Sequence, residues 1–275
     1  MQLTDSQKAA IAYVNARATG KPIDRALRIT LNFHPDRAHE AVHILDSLAQ
    51  GGVYRSQFET RTSNGGLTAH PGGDRWQWES RIFNGAYDNA SPTERPKYGA
   101  LNYKRDQYGA SPRFGSAYLR LKQDVLERST FCYPDSVFEP EAFGTSGRMA
   151  LIDLAMADDK DLLDDYIEAQ VHGELRIAQD VEALVLDPCY HGTDVETLAN
   201  ILNCPIEWHS GFVLTVEEMA RYPDYRGQEF VDLGKDIAKA GVLTPKIIGD
   251  EAATGKYDSQ ALKRVWHYLA RFGRK

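Results

Sequence analysis

Cysteine is scarce in this 275-residue chain: Cys132, Cys189 and Cys204 make an odd set with no C-x-x-C spacing. That excludes a disulfide framework and argues against a cysteine-bound zinc, so reduced thiols are expected. Long apolar runs are missing, and the stretch from Met1 to Lys8 lacks the basic and apolar segments of a signal peptide. No membrane span is expected; the chain is assigned to the cytoplasm, or to export as an effector without a classical leader. Positive charge is not in excess either. The formal net charge of −7 removes any general attraction to nucleic-acid backbones. Also absent are a Walker loop, a G-x-S-x-G elbow and a dinucleotide-binding glycine fingerprint. The pieces Asn64-Gly-Gly66 and Pro71-Gly-Gly73 read as turns. Internal repeats and low-complexity tracts do not occur.

What is present is ordinary globular composition, 42% hydrophobic and 26% charged. Thr4-Asp5-Ser6 caps a first helix to about residue 18. Residues 27–34 then alternate, with Ile29, Leu31 and Phe33 on one side and Arg28, Thr30, Asn32 and His34 on the other. This predicts a strand with one buried and one polar face. Pro35 opens a helix over about 36–49, and a strand is expected at 53–60. Residues 61–116, rich in Gly, Pro, Asn and aromatics, form a long irregular stretch expected to hold short elements and wrap a site. Strands follow near 116–122, 128–133, 166–172 and 181–187, with a helix around 148–156. Beyond residue 187 the texture is helical: 194–202, a capping box at Thr215-Val-Glu-Glu218, then 228–240 and 259–272. Strands and helices do not alternate throughout, so the fold class is α+β. A core over residues 1–212 and a helical extension over 213–275, packed on that core, are expected.

His39-Glu40-Ala-Val-His43 matches H-E-x-x-H, which on a helix serves zinc hydrolases. No third ligand follows on a second helix, so no metal is expected and the histidines read as surface residues. The polar row Arg28, Thr30, Asn32, His34 is short and hydrogen-bonding rather than long and solvating, as in a lined cleft. Glu168, Gln170 and His172 repeat this on a later strand.

At these residues the chain resembles a bacterial family catalogued as a domain of unknown function, through Arg28-Ile-Thr-Leu-Asn-Phe-His-Pro-Asp-Arg37, Tyr54-Arg-Ser-Gln-Phe-Glu-Thr60 and Arg95-Pro-Lys-Tyr-Gly-Ala-Leu-Asn102. A more distant likeness is to ADP-ribosyltransferase toxins and phage-associated ADP-ribosyltransferases. Those carry Arg or His on a first strand, a Ser-Thr-Ser element on a middle strand and a catalytic Glu on a late strand. This chain offers, in order, Arg28 and His34, then Ser129-Thr130-Phe131, then Glu168-x-Gln170; Arg55 in Tyr54-Arg55-Ser56 is a second claimant for the first-strand arginine. It departs from the pattern at Phe131, where the motif has Ser, and in its Glu-x-Gln order.

The resemblance implies an ADP-ribosyltransferase-like mixed sheet with flanking helices, using NAD as substrate, with an unidentified acceptor. It makes Glu168 and Gln170 catalytic, Arg28, His34 or Arg55 the cofactor anchor, and Ser129 and Thr130 the brace of the Glu168 strand. Two other readings are carried: a non-enzymatic interaction or phage-structural protein with a decayed site, and a hydrolase or nuclease using either the H-E-x-x-H segment or His34 with Asp36.

Overall fold

Alternating side chains build the centre of the molecule. Ile29–Phe33 (β1), Lys97–Leu101 (β2), Ala117–Leu121 (β3), Ser129–Tyr133 (β4), Ala142–Thr145 (β5), Ile167–Val171 (β6), Val181–Leu186 (β7) and Ile206–Trp208 (β8) form one sheet in a computed structural model. Residues 2–39, 42–61 and 68–275 are described by it. The strand order is β8-β7-β3-β1-β2-β6-β4-β5, antiparallel except for the β7–β8 pair. The helices are Asp5–Arg17 (α1), Ile44–Gly51 (α2), Gln57–Thr60 (α3), Asp74–Ile82 (α4), Leu151–Ala157 (α5), Ile177–Asp180 (α6), Asp194–Ala199 (α7), Val216–Met219 (α8), Gln228–Ile237 (α9), Pro245–Ala253 (α10) and Ser259–Phe272 (α11). The fold is α+β, a large mixed sheet with flanking helices. No helix among the described residues is long and apolar enough to cross a membrane.

Ile29, Leu31, Phe33, Leu119, Phe131, Ile167, Ala169 and Leu184 share one face of the sheet. They pack on Leu45 and Leu48 of α2, Leu151 and Ala155 of α5, and Val195 and Ala199 of α7. Burial of each large side chain there contributes about 1.5–3 kcal/mol. The opposite face is polar, yet part of it is covered as well: Ala10 and Val14 of α1 and Trp78 and Ile82 of α4 form a second cluster with Phe83, Tyr87 and Cys132.

Three expectations need correction. The helix expected over 36–49 begins only at Ile44; Ala38–His39 and Val42–His43 are two short paired strands. The strand expected at 53–60 reduces to an isolated bridge of Val53 with Arg176, followed by α3. The polar face of β1 is no open cleft. Ala110 N donates to Thr30 Oγ1 at 2.8 Å, and Asn32 Nδ2 donates to the carbonyls of Tyr108 and Gly115 at 2.9 and 3.3 Å. The segment 102–115 thus lies directly on β1, which is buried on both faces. Gly109 permits this approach, with φ of 81° and no room for a Cβ, which would stand 2.5 Å from Asn32 Oδ1.

The C-terminal residues have a hydrophobic cluster of their own, with Phe212, Leu214, Met219, Val231, Leu243, Ile248, Trp266 and Leu269. Tyr108 of the 102–115 segment belongs to it, and Tyr108 Oη donates to the Lys275 carbonyl at 2.6 Å. Trp266 Nε1 donates to the carbonyls of Pro112 and Arg113 at 3.1 and 3.0 Å. Arg271 pairs with Asp161 at 2.9 Å and Arg274 with Asp106 at 2.5 Å.

Candidate functional site

Strand periodicity gathers the polar side chains. Glu168 and Gln170 share one face of β6, and His172, just past its end, continues the row. Antiparallel register sets Cys132 and Thr130 of β4 beside Glu168 and Gln170, with Ala100 and Tyr98 of β2 on the other side. α4 brings Arg75 and Glu79 to the same face, and the 3-10 turn Ser136–Phe138 brings Ser136.

Glu168 is 5% exposed and accepts from Ser136 Oγ at 2.8 Å and from Gln170 Nε2 at 3.0 Å. Arg75 Nη1 stands 4.0 Å from Glu168 Oε1 and donates to Ser136 Oγ at 3.1 Å, while its guanidinium lies 4.0 Å over the Tyr98 ring. Arg75 Nε is buried without a hydrogen-bond partner among the described residues. Burial, and then the charge of Asp135, pushes the Glu168 carboxyl above its ordinary range; Arg75, Ser136 and Gln170 pull the other way. Behind Arg75, Glu79 accepts from Arg95 Nη1 at 2.6 Å and from Tyr98 Oη at 2.8 Å.

The hydrogen bonds of this face run in one direction. Thr130 has one hydroxyl proton and gives it to Gln170 Oε1 at 2.9 Å. It must then accept from His172 Nε2, 2.9 Å away, which leaves His172 Nδ1 to accept from Tyr87 Oη at 2.6 Å. Burial, with Lys97 and Arg128 adding to it, lowers the His172 pKa to about 3, so the ring carries a single proton. Tyr87, His172, Thr130 and Gln170 therefore donate in sequence, and the last proton faces Glu168. Such a chain favours the ionised carboxylate against the cost of burial.

Of the residues marked in the sequence, Glu168, Gln170 and Thr130 are brought together. Ser129 is not: it lies on the other face of β4, and its hydroxyl donates to the Val125 carbonyl at 2.8 Å. His34 meets Trp266 edge-on at 4.9 Å, beneath the C-terminal unit, and burial holds its pKa at about 3. Arg55 is exposed ahead of α3. Arg28 sits two strands from β6 and pairs with Glu182 at 2.6 Å. Glu182 also takes Arg120 at 3.0 Å, and Arg120 takes Glu207 at 2.5 Å, so an ion-pair ladder crosses β1, β3, β7 and β8. It lines an open cleft of about 380 Å³ with Gln107, Tyr118 and Trp208. The expected convergence of a first-strand cation on Glu168 is thus replaced by Arg75.

Sequence reasoning missed Arg75, Glu79, Tyr87, Tyr98 and Ser136. The available signal for two of them was the spacing of Arg75, Trp78, Glu79 and Ile82, one helical face inside the stretch read as irregular. The H-E-x-x-H segment does not lie on a helix: His39 and His43 fall on paired two-residue strands, and Glu40 and Ala41 lie outside the described residues. His43 Nδ1 caps α2 by accepting from Leu45 N at 3.3 Å. His34 and Asp36 do not converge either, since Asp36 accepts from Tyr190 Oη at 2.9 Å while His34 faces Trp266.

No curated protein matches the chain. A family match covers the site from both sides. Arg75, Tyr98, Thr130 and Ser136 fall in its first segment, residues 28–159, and Glu168, Gln170 and His172 in its second, residues 147–272; the chain belongs to the family described as protein of unknown function (DUF3626).

Proposed function

We propose that the protein is an NAD-dependent ADP-ribosyltransferase, or an NAD glycohydrolase where water is the acceptor, with Glu168 as its central carboxylate. The observation that carries this reading is a buried carboxylate with a chain of donors aimed at it, standing 4.0 Å from an arginine whose Nε has no partner among the described residues. Cleavage of the nicotinamide–ribose bond sends the electron pair to the ring nitrogen and leaves positive charge on the ribose. A fixed carboxylate stabilises charge that develops only in the transition state. The acceptor's lone pair then bonds to the ribose carbon, and the acceptor's proton passes to water. Gln170 holds Glu168 in place, Thr130 holds Gln170, and Arg75 supplies a cation for the phosphates. A ribose reaches Glu168 when the turn at Ser136–Phe138 moves aside, and the Oε2 that accepts from Ser136 becomes free for a ribose hydroxyl.

The near-complete burial of Glu168 favours one competing reading, a structural polar core without catalysis. NAD labelled in nicotinamide separates the two. Nicotinamide release by the parent protein, reduced roughly a hundredfold or more in Glu168→Gln with unchanged circular dichroism, supports the transferase. A parent protein that releases none, or a Glu168→Gln variant as active as the parent, overturns it.

A further inference from the structure

His267 is a buried polar group without a role in the contacts described so far. It is 1% exposed, and neither ring nitrogen has a hydrogen-bond partner among the described residues. A buried polar atom without a partner is destabilising, so a ring with two of them points to a ligand that pairs with it. A second orphan belongs to the same unit. Arg226 Nε is buried without a partner, and Arg226 has no carboxylate within ion-pair distance among the described residues. Its Nη2 donates to Tyr225 Oη at 3.2 Å, and its main-chain N–H donates to Tyr268 Oη at 3.1 Å, which ties the Arg226 turn to the residue after His267. On the residue before it, Trp266 Nε1 holds the Arg113 carbonyl at 3.0 Å. Neighbours of His267 along the helix thus hold the main chain of Arg113 and of Arg226, and both guanidinium groups act on His267.

The surrounding charge is mostly positive. Arg113, Arg226, Lys263 and Arg264 all act on His267, which burial and these cations hold down at about 2, a neutral imidazole. Three carboxylates at the rim are already engaged: Asp164 pairs with Arg113, Asp161 takes Arg271 and the Tyr225 hydroxyl, and Asp135, which also acts on Arg113, accepts from Val137 N. None of them pairs with Arg226 Nε or His267. The cluster also adjoins the Glu168 face. Phe114, next to Arg113, contacts Tyr166 with ring centroids 5.7 Å apart, and Tyr166 precedes Glu168 by two residues, about 7 Å along a strand.

We propose that Arg113, Arg226 and His267 form the subsite that takes the diphosphate of a dinucleotide whose ribose lies at Glu168, so that the C-terminal helical unit completes the site. This rests on the reading of Glu168 given above. Diphosphate oxygens accept from both guanidinium groups, Arg226 Nε among them, and from the one protonated nitrogen of the neutral His267 ring, which satisfies those orphaned donors and offsets the clustered charge.

The test titrates the full-length protein with inorganic pyrophosphate and follows the histidine ring ¹⁵N–¹H resonances, with His267 assigned by its loss in His267→Gln. The His267 resonance is expected to shift saturably. Arg226→Gln should weaken pyrophosphate binding at least tenfold, Arg226→Lys should restore part of it, and Arg221→Gln, an exposed cation of the same unit, should leave it unchanged. A silent His267 resonance, an equal response to chloride at matched ionic strength, or an Arg226→Gln variant that binds like the parent overturns the subsite. Saturable pyrophosphate binding by a protein that never cleaves NAD keeps the anion subsite and removes the transferase reading. NAD cleavage with KM unmoved by Arg226→Gln removes the subsite alone.

Discussion

Replacing Asp36 by Asn isolates one charge at the junction between the sheet core and the C-terminal unit. Asp36 follows β1, accepts from Tyr190 Oη at 2.9 Å, and has its other oxygen buried without a partner among the described residues. It stands against α10 so closely that a Cβ on Gly249 would lie 1.7 Å from Asp36 Oδ2. Burial is the main reason its pKa rises from 3.8 to about 6; the Tyr190 hydrogen bond and Arg37 oppose the rise. Below pH 4 the group is protonated in folded and unfolded chains alike, and contributes nothing to the pH dependence. Between about 4 and 6 the unfolded chain ionises first, so the folded state loses stability as pH rises, and above about 6 the loss is complete. A shift of about two units corresponds to about 3 kcal/mol. Asp36→Asn keeps an oxygen for Tyr190 and removes the charge. The stability gap between Asp36→Asn and the parent, measured by urea unfolding from pH 4 to pH 8, should therefore widen in favour of the variant by about 3 kcal/mol and flatten above pH 6. Parallel stability curves, or a gap that closes as pH rises, would refute the assignment of Asp36 as a buried, partly unsatisfied carboxyl.

Leu31→Ala should destabilise the fold by about 2–5 kcal/mol in the same urea assay, because Leu31 is 1% exposed in the main apolar cluster. Thr130→Val keeps the shape of the side chain but leaves Gln170 Oε1 and His172 Nε2 unpaired in the interior. It should cost about 1–3 kcal/mol for each orphaned atom in urea unfolding, and lower nicotinamide release without unfolding the protein at 25 °C.

Local chemistry was legible and its covering was not. Alternation along residues 29–33 read the two faces of β1 correctly, yet what covers Thr30 and Asn32 is a segment some eighty residues later, tied down by Ala110 N and the Tyr108 and Gly115 carbonyls. Nothing near β1 signals that. α11 was readable to its limits, Ser259–Phe272, because its apolar spacing is regular and its N-cap, Asp258, accepts from Ala261 N. α4 was hidden, since Asp74-Arg-Trp-Gln-Trp-Glu79 mixes aromatic and charged residues within a glycine-rich stretch. On β4 the sequence order placed Ser129 and Thr130 together, but neighbours on a strand face opposite ways, so only Thr130 reaches the Glu168 face. The H-E-x-x-H segment shows the reverse error: a spacing that suits a helix lies on a strand pair, and the helix begins after it.

The one-way order of Tyr87, His172, Thr130 and Gln170 makes a distant ring a reporter of charge. To run backwards, the chain needs the Gln170 amide turned over, with its oxygen against the Glu168 carboxylate, and the His172 proton moved to Nδ1. An anionic Glu168 forbids that arrangement by repulsion, whereas a neutral side chain at that position tolerates both. The tautomer of His172, two hydrogen-bond partners away from the carboxylate, is thereby coupled to whether Glu168 bears its charge.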